Sequence, residues 1–276
     1  MAYKTIVVHL NDERRTERLL RPALDLARRY NSHLIGVHVY PAVPMTPPVA
    51  IPYGAEVLGV ALAAERKEAE QIKAVFERMT ANQAFVAEWR SVKAPHSDLA
   101  AVVMKHGRSA DLMVASQADL DWDLAPVLDF PERLAMESGR PVLVVPNAGT
   151  FDRVGSAAVV AWNGSRESAR AAFDALPLLK DAGSVQILSV AEEASAANVA
   201  DTTLAAGLGR HGIKGTAAEL PPVGSIGEAI LSHVAANKAD LLVMGAYGHS
   251  RFREFVFGGT TRHIARNMSV PTLFSH

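Results

Sequence analysis

The sequence predicts an α/β protein of two tandem doubly wound domains, each with about five parallel strands flanked by helices. Three observations carry this. The strands are short and continuously apolar ("IVV", "LMVA", "VLVV", "LLVM"), as strands buried on both faces of a helix-covered parallel sheet must be. They alternate with segments of helical periodicity. And the whole order of elements occurs twice, in units of domain size, about 130–150 residues each.

The first copy opens with "TIVVHLNDERRTERLLRPALDLARRY", the second with "AAVVAWNGSRESARAAFDALPLLKDA". Each begins with a β-rich run and breaks at an asparagine, Asn11 or Asn163. Each then enters a helix with an apolar stripe: Leu19, Leu20, Ala23, Leu24 and Ala27, then Ala169, Ala172, Phe173 and Leu176. "NSHLIGVHV" and "GSVQILSV" supply second strands. In the first copy Tyr40–Val57 is rich in proline, which excludes helix and central strand, so it reads as a surface loop before a helix near Glu56–Met79. A lid or contact surface is the alternative for that loop. "FVAEWRSVKAPHSDLAAVV" and "GTAAELPPVGSIGEAILSHV" each give a strand, a turn and a helix. "SADLMVASQAD" pairs with "KADLLVMGAYG", and "GRPVLVVP" with "SVPTLFSH". Between the copies lies "PNAGTFDRVGS", whose Pro, Asn and glycines mark a linker. The expected domains are 1–147 and 152–276.

Composition narrows the function classes. The chain has 276 residues, of which 49% are hydrophobic and 21% charged, with a formal net charge of -1. There is no basic excess of the kind a nucleic-acid binder carries. The absence of cysteine excludes disulfides and thiolate metal sites. No apolar run approaches the ~18–20 residues of a membrane span, and the start of the chain lacks a signal-peptide pattern. A cytoplasmic protein is expected, with no membrane or nucleic-acid partner.

The chemistry concentrates in the second copy. In an open parallel sheet, ligands bind beyond the C-terminal strand ends where strand order reverses. There the sequence sets Met244 and Gly245 at a strand end, with Gly248 three residues on. After Arg251 and Arg253 come Gly258, Gly259, Thr260 and Thr261 at a helix start. Glycines admit positive φ and close approach of a ligand to the main chain. A helix N-terminus offers N–H donors and partial positive charge. Together these describe an anion site that fits a phosphate chain, flanked by His249 and His263.

The spacing Gly245, Gly248, nine residues, Gly258 resembles the signature of the universal stress protein family. It departs at the last position, where Gly259 stands for the usual Ser or Thr and Thr260 follows. The resemblance extends through both copies in element order. It implies strand order 3-2-1-4-5 in each domain and, as in many members, ATP as ligand, with Mg as a companion left open. Gly245, Gly248, Gly258, Gly259, Thr260 and Thr261 would hold the phosphates, beside His249. Asn163 stands where such members carry an Asp that meets the ribose and adenine, and its amide can still donate and accept. Ala161, Trp162, Val190 and Met244 complete the expected pocket, with Val190 bordering the adenine. Family members also pair through the fifth strand, here Val142–Val145 against Thr272–Phe274. A homodimer beyond this internal pseudo-dimer, and an unidentified protein partner, are the further assemblies expected.

The first copy carries Ser116 for Gly245, Asp119 for Gly248 and Asp129 for Gly258, with Asp121 and Asp123 between. Carboxylates this close would repel a triphosphate by ~1–4 kcal/mol per charge pair at moderate effective dielectric. Pro131 removes one donor from the helix start. No nucleotide is expected there. The alternate aspartates resemble a calcium loop but lack its glycine and closing glutamate. Neither Walker A nor Gly-x-Ser-x-Gly appears. Ser165 reads as an N-cap, Glu167, Glu192 and Glu193 as solvated charges, and the other histidines as ordinary structural or surface residues. No catalytic residue is assigned. The leading expectation is an ATP-dependent stress-response switch or scaffold. Its rivals are slow ATP hydrolysis or nucleotidyl transfer at the same cleft, and an interaction module that binds no nucleotide.

Overall fold

A computed structural model of the chain describes residues 2–41, 54–94, 98–119, 121, 130–190, 199–221, 224–246 and 259–276. The first half runs β1 (Thr5–His9), α1 (Glu13–Tyr30), β2 (His33–Pro41), α2 (Gly54–Thr80), β3 (Ala87–Ala94), α3 (Leu99–Gly107), β4 (Leu112–Ser116), α4 (Pro131–Glu137) and β5 (Val142–Val145). The second runs β6 (Ala157–Ala161), α5 (Arg166–Asp174), α6 (Leu176–Asp181), β7 (Ser184–Val190), α7 (Val199–Arg210), β8 (Gly215–Leu220), α8 (Ile226–Ala236), β9 (Leu241–Gly245), α9 (Thr260–Asn267) and β10 (Thr272–Ser275).

Among the described residues the strands form one sheet in the order β3-β2-β1-β4-β5-β10-β9-β6-β7-β8. Each half contributes a parallel 3-2-1-4-5 unit, the order the resemblance implied. The units join by the antiparallel pair β5–β10, with Val142 opposite Phe274, Leu143 opposite Leu273 and Val144 opposite Thr272. The segments expected to pair do so. Because the junction is antiparallel, the C-terminal strand ends of the two halves lie on opposite edges of the common sheet.

The continuous apolar runs are explained by burial on both faces. One core lies against α1, α2, α5, α6 and α7 and takes Ile6, Val8, Leu112, Val160 and Leu273 from the strands. The other lies against α3, α4, α8 and α9 and takes the alternating residues Val7, Met113, Val159, Met244 and Phe274. This is the period of two of a strand, with apolar residues required on each side.

Three local expectations need correction. Tyr40 and Pro41 belong to β2, which pairs with β3 as far as Pro41 and Ala94; the lid considered for the rest of that loop falls on 42–53, outside the described residues. The first helix of the second half is two helices, because Pro177 in the first turn of α6 cannot continue α5. Phe173, counted in the apolar stripe, is 46% exposed. In α1, by contrast, Pro22 is accommodated inside one unbroken helix.

The connection between β5 and β6 is tied down along its length. Arg21 pairs with Asp152 at 2.8 Å, Arg29 donates to the Val154 carbonyl at 2.7 Å, and Asp240 accepts from the Ser156 and Ala157 amides at 3.0 and 2.9 Å.

Candidate functional site

Strand β6 lies between β9 and β7, and its C-terminal end is the switch point of the second half. Here Ala161 is opposite Met244 on β9 and Leu188 on β7. The next residue, Trp162, donates its amide to the Leu188 carbonyl at 2.8 Å and accepts at its own carbonyl from Ser189 Oγ at 3.0 Å. Val190 ends β7, half-buried, beside Leu220. The chain then turns through Asn163 and Gly164. Asn163 is exposed and its Oδ1 accepts from the Ser165 amide at 3.1 Å, which leaves its Nδ2 donors for other use. Gly164 sits at φ +73°, in the left-handed region that favours glycine. Ser165 caps α5 as expected, its Oγ accepting from the Ser168 amide at 3.2 Å.

Gly245 has a packing reason that the sequence reading did not name. It is absent from the positive-φ glycines among the described residues. A Cβ at this position would stand 2.5 Å from the Glu167 carbonyl carbon and 2.6 Å from the Ser168 nitrogen. The glycine therefore lets the start of α5 press against the end of β9. Glu167, expected to be solvated, is 3% exposed. Burial raises its carboxyl, but hydrogen bonds from Arg166 and its own backbone outweigh this, and its pKa is lowered.

Helix α9 supplies the anion-binding end. Its N-cap is Gly259, at φ −44° and ψ 142°, with no side-chain cap and no proline in the first turn. Its neighbours differ. Asp12, Asp98 and Ser165 cap α1, α3 and α5 with their side chains, and Ser225 with Glu228 forms a capping box on α8. Helices α4 and α6 carry proline in the first turn. So among the helix starts so described, only α9 has neither device. Its residues Gly259 and Thr260 are half-buried, and Thr261 is 5% exposed and already engaged. The α8 and α9 starts lie together, since a Cβ on Gly227 would reach the His263 ring at 2.7 Å. Gly248, His249 and Gly258 lie outside the described residues.

The sequence of folds and motifs has known counterparts. The profile of the Universal stress protein family matches residues 2–146 and 222–276. The chain belongs to the universal stress protein family. A curated relative, Universal stress protein Slr1230 of Synechocystis, is 49% identical over 51 residues. That match spans 18% of this chain and 18% of the relative. The fold is that of a universal stress protein from Archaeoglobus fulgidus: TM-score 0.69, 16% identity, covering 98% of this chain and 95% of that one. A functionally unknown protein from Pseudomonas aeruginosa is similar at TM-score 0.58 and 14% identity, with 99% and 92% covered.

Within this family fold the equivalent edge of the first half holds a buried charged cluster. Arg15 is 4% exposed at the end of β1 and β4, where it pairs with Asp12 at 3.3 Å and donates to Ser116 Oγ at 3.3 Å. Ser116 in turn donates to Asn147 Oδ1 at 3.0 Å. His9 is 4% exposed and stacked on Phe130 at 4.9 Å. Burial, then the proximity of His38 and Arg15, lowers its pKa to about 3, so it is neutral. His38 holds its Nδ1 on the Leu10 carbonyl at 2.8 Å. Sequence reading anticipated an acidic loop here and missed this buried Arg15–Asp12–Ser116 cluster. The signal available was weak: an arginine in the first turn of a helix looks like any surface arginine. Of the acidic loop, Asp119 Oδ1 accepts from the Asp121 amide at 3.2 Å, and Asp123 and Asp129 lie outside the described residues. Helix α4 does begin at Pro131, with one donor fewer.

Proposed function

We propose that the second half binds ATP at the edge formed by the ends of β6, β7 and β9 and the start of α9, and that the protein acts as a nucleotide-dependent stress-response switch or scaffold. The observation that supports it most is the open start of α9. A helix that begins on glycine, without side-chain cap or proline, keeps its first-turn donors and its partial positive charge available to an external anion. The phosphate chain lies on Gly259 and Thr260, with Gly245, Gly248, Gly258 and His249 beside it. The ribose and base lie toward Asn163, Ala161, Trp162, Met244 and Val190. The first half binds no nucleotide, because Ser116, Asp119 and Asp129 stand where the second half carries its glycines, and Pro131 removes a donor from the start of α4.

The test exploits the cap. In Gly259→Asp the carboxylate accepts from the first-turn amides, so α9 keeps its start and gains a cap worth a few tenths of a kcal/mol over glycine. The same carboxylate competes with phosphate for those donors and repels it. Calorimetric titration should give ATP affinity at least tenfold weaker in Gly259→Asp, with a melting temperature equal to or above that of the wild type. Equal affinity in the two proteins rejects this placement, and no binding by the wild type favours an interaction module.

A further inference from the structure

The switch points of the two halves are built on the same main-chain frame but hold different side chains. In the first half, Leu10 donates its amide to the Val37 carbonyl at 2.9 Å, and its carbonyl is met by His38 at 2.8 Å. In the second, Trp162 donates to Leu188 at 2.8 Å, and its carbonyl accepts from Ser189 at 3.0 Å. Leu10 is 0% exposed and its side chain carries no polar atom. Trp162 packs against the same core, yet its indole Nε1–H is buried with no hydrogen-bond partner among the described residues. A buried indole N–H almost always finds an acceptor, because leaving it unmade forfeits the water it gave up. The frame tolerates leucine, so a tryptophan is not required for packing.

We infer that the Trp162 Nε1–H is kept for an acceptor on the ligand itself, an oxygen or ring nitrogen of the nucleoside part. This rests on the nucleotide reading above and adds a directional contact to it. The indole belongs to the residue immediately before the Asn163–Gly164 turn and lies beside the end of β7, where the nucleoside is placed; α9 is placed against the phosphates. The contact therefore separates two parts of one ligand. A polyphosphate without a nucleoside engages α9 and leaves the indole unpaired.

The chain has three tryptophans, so a sample labelled with 15N at the indole nitrogens gives three resolved signals, assigned by single substitutions. Saturating ATP should move the Trp162 indole proton downfield by several tenths of a ppm, whereas inorganic tripolyphosphate should leave it in place. Trp162→Leu copies the residue that the first half already carries, and its circular dichroism and melting curve report whether it folds. It should bind ATP about tenfold more weakly, the loss of one hydrogen bond, and bind tripolyphosphate as the wild type does. ATP binding with an unmoved indole signal, or unchanged affinity in Trp162→Leu, overturns the inference and leaves the nucleotide reading standing. Absence of any ATP heat removes both. Should Trp162→Leu fail to fold, the indole shift in the wild type alone decides.

Discussion

At the scale of single residues, the two switch points are differently charged inside. Arg15 lies buried in the first and Glu167 at the start of α5 in the second, each reached from the first turn of the helix after the first strand. His9 stands at the end of β1 where the second half has Ala161. Its consequence is acid sensitivity. The ordinary value of 6.5 is lowered to about 3 in the folded protein, by burial first and then by His38 and Arg15. Between those values the unfolded chain binds a proton that the folded protein refuses, so stability falls as pH is lowered through that window. His38, lowered also by burial, acts with the same sign. Urea unfolding should therefore show a loss of about 2 kcal/mol from His9 alone between pH 7.5 and pH 5. His9→Leu should lose correspondingly less over the same interval. A variant whose stability falls as steeply as the wild type's would show that His9 is not the group responsible.

At the scale of elements, α9 is defined by its two ends. Its start takes no side-chain cap, and its far end is capped by the other half of the molecule. Gln117, just beyond β4, donates its Nε2 to the Ala265 carbonyl at 2.9 Å and the Arg266 carbonyl at 3.0 Å, while its Oε1 accepts from the Asn147 amide at 3.0 Å. The last carbonyls of a helix lack internal partners, and a buried one left without a donor costs about 1–3 kcal/mol. Gln117 is 7% exposed, so water does not replace it. Gln117→Leu should lower stability by about 2–4 kcal/mol, since it strips a donor pair and an acceptor at once. Chemical denaturation measures this, and a loss below about 0.5 kcal/mol, the level of an inert surface change, would count against the cap. The element scale is also where the sequence was most and least legible. Strand and helix order could be read because apolar runs and helical stripes repeat in each copy, and Ser165 announced its cap. The break between α5 and α6 turned on one proline, Pro177, which α5 cannot continue through, whereas α1 runs unbroken through Pro22. The purpose of Gly245 was hidden because close packing of a helix backbone and close approach of a ligand demand the same residue. Glu167 was misread as a solvated charge and buried Arg15 drew no reading, since burial of a first-turn side chain depends on a strand distant in sequence.

At the scale of the whole molecule, the duplicated units share a single sheet, and the joint is apolar and continuous. Leu143 and Leu273 face one another across β5 and β10, both at 0% exposure, and each belongs to the core on the α1 and α5 face. Further links cross the same seam: Tyr3 donates to the Asp174 carbonyl at 2.8 Å, and Arg29 reaches Val154. Neither half can open here without exposing strand edges and apolar surface of the other. The two halves should accordingly unfold together. Calorimetry should show one transition, with calorimetric and van't Hoff enthalpies equal, as an all-or-none process requires. Leu143→Ala removes buried atoms at the joint at a cost of about 2–5 kcal/mol. Because the joint is common to both halves, that cost should shift the whole transition to lower temperature and leave it single. Two resolved peaks in the wild type, or a peak from the second half that stays in place in Leu143→Ala, would falsify the shared-core view. In that event the β5–β10 pair would be a contact between independent units, and ATP bound in the second half would stabilise that half alone.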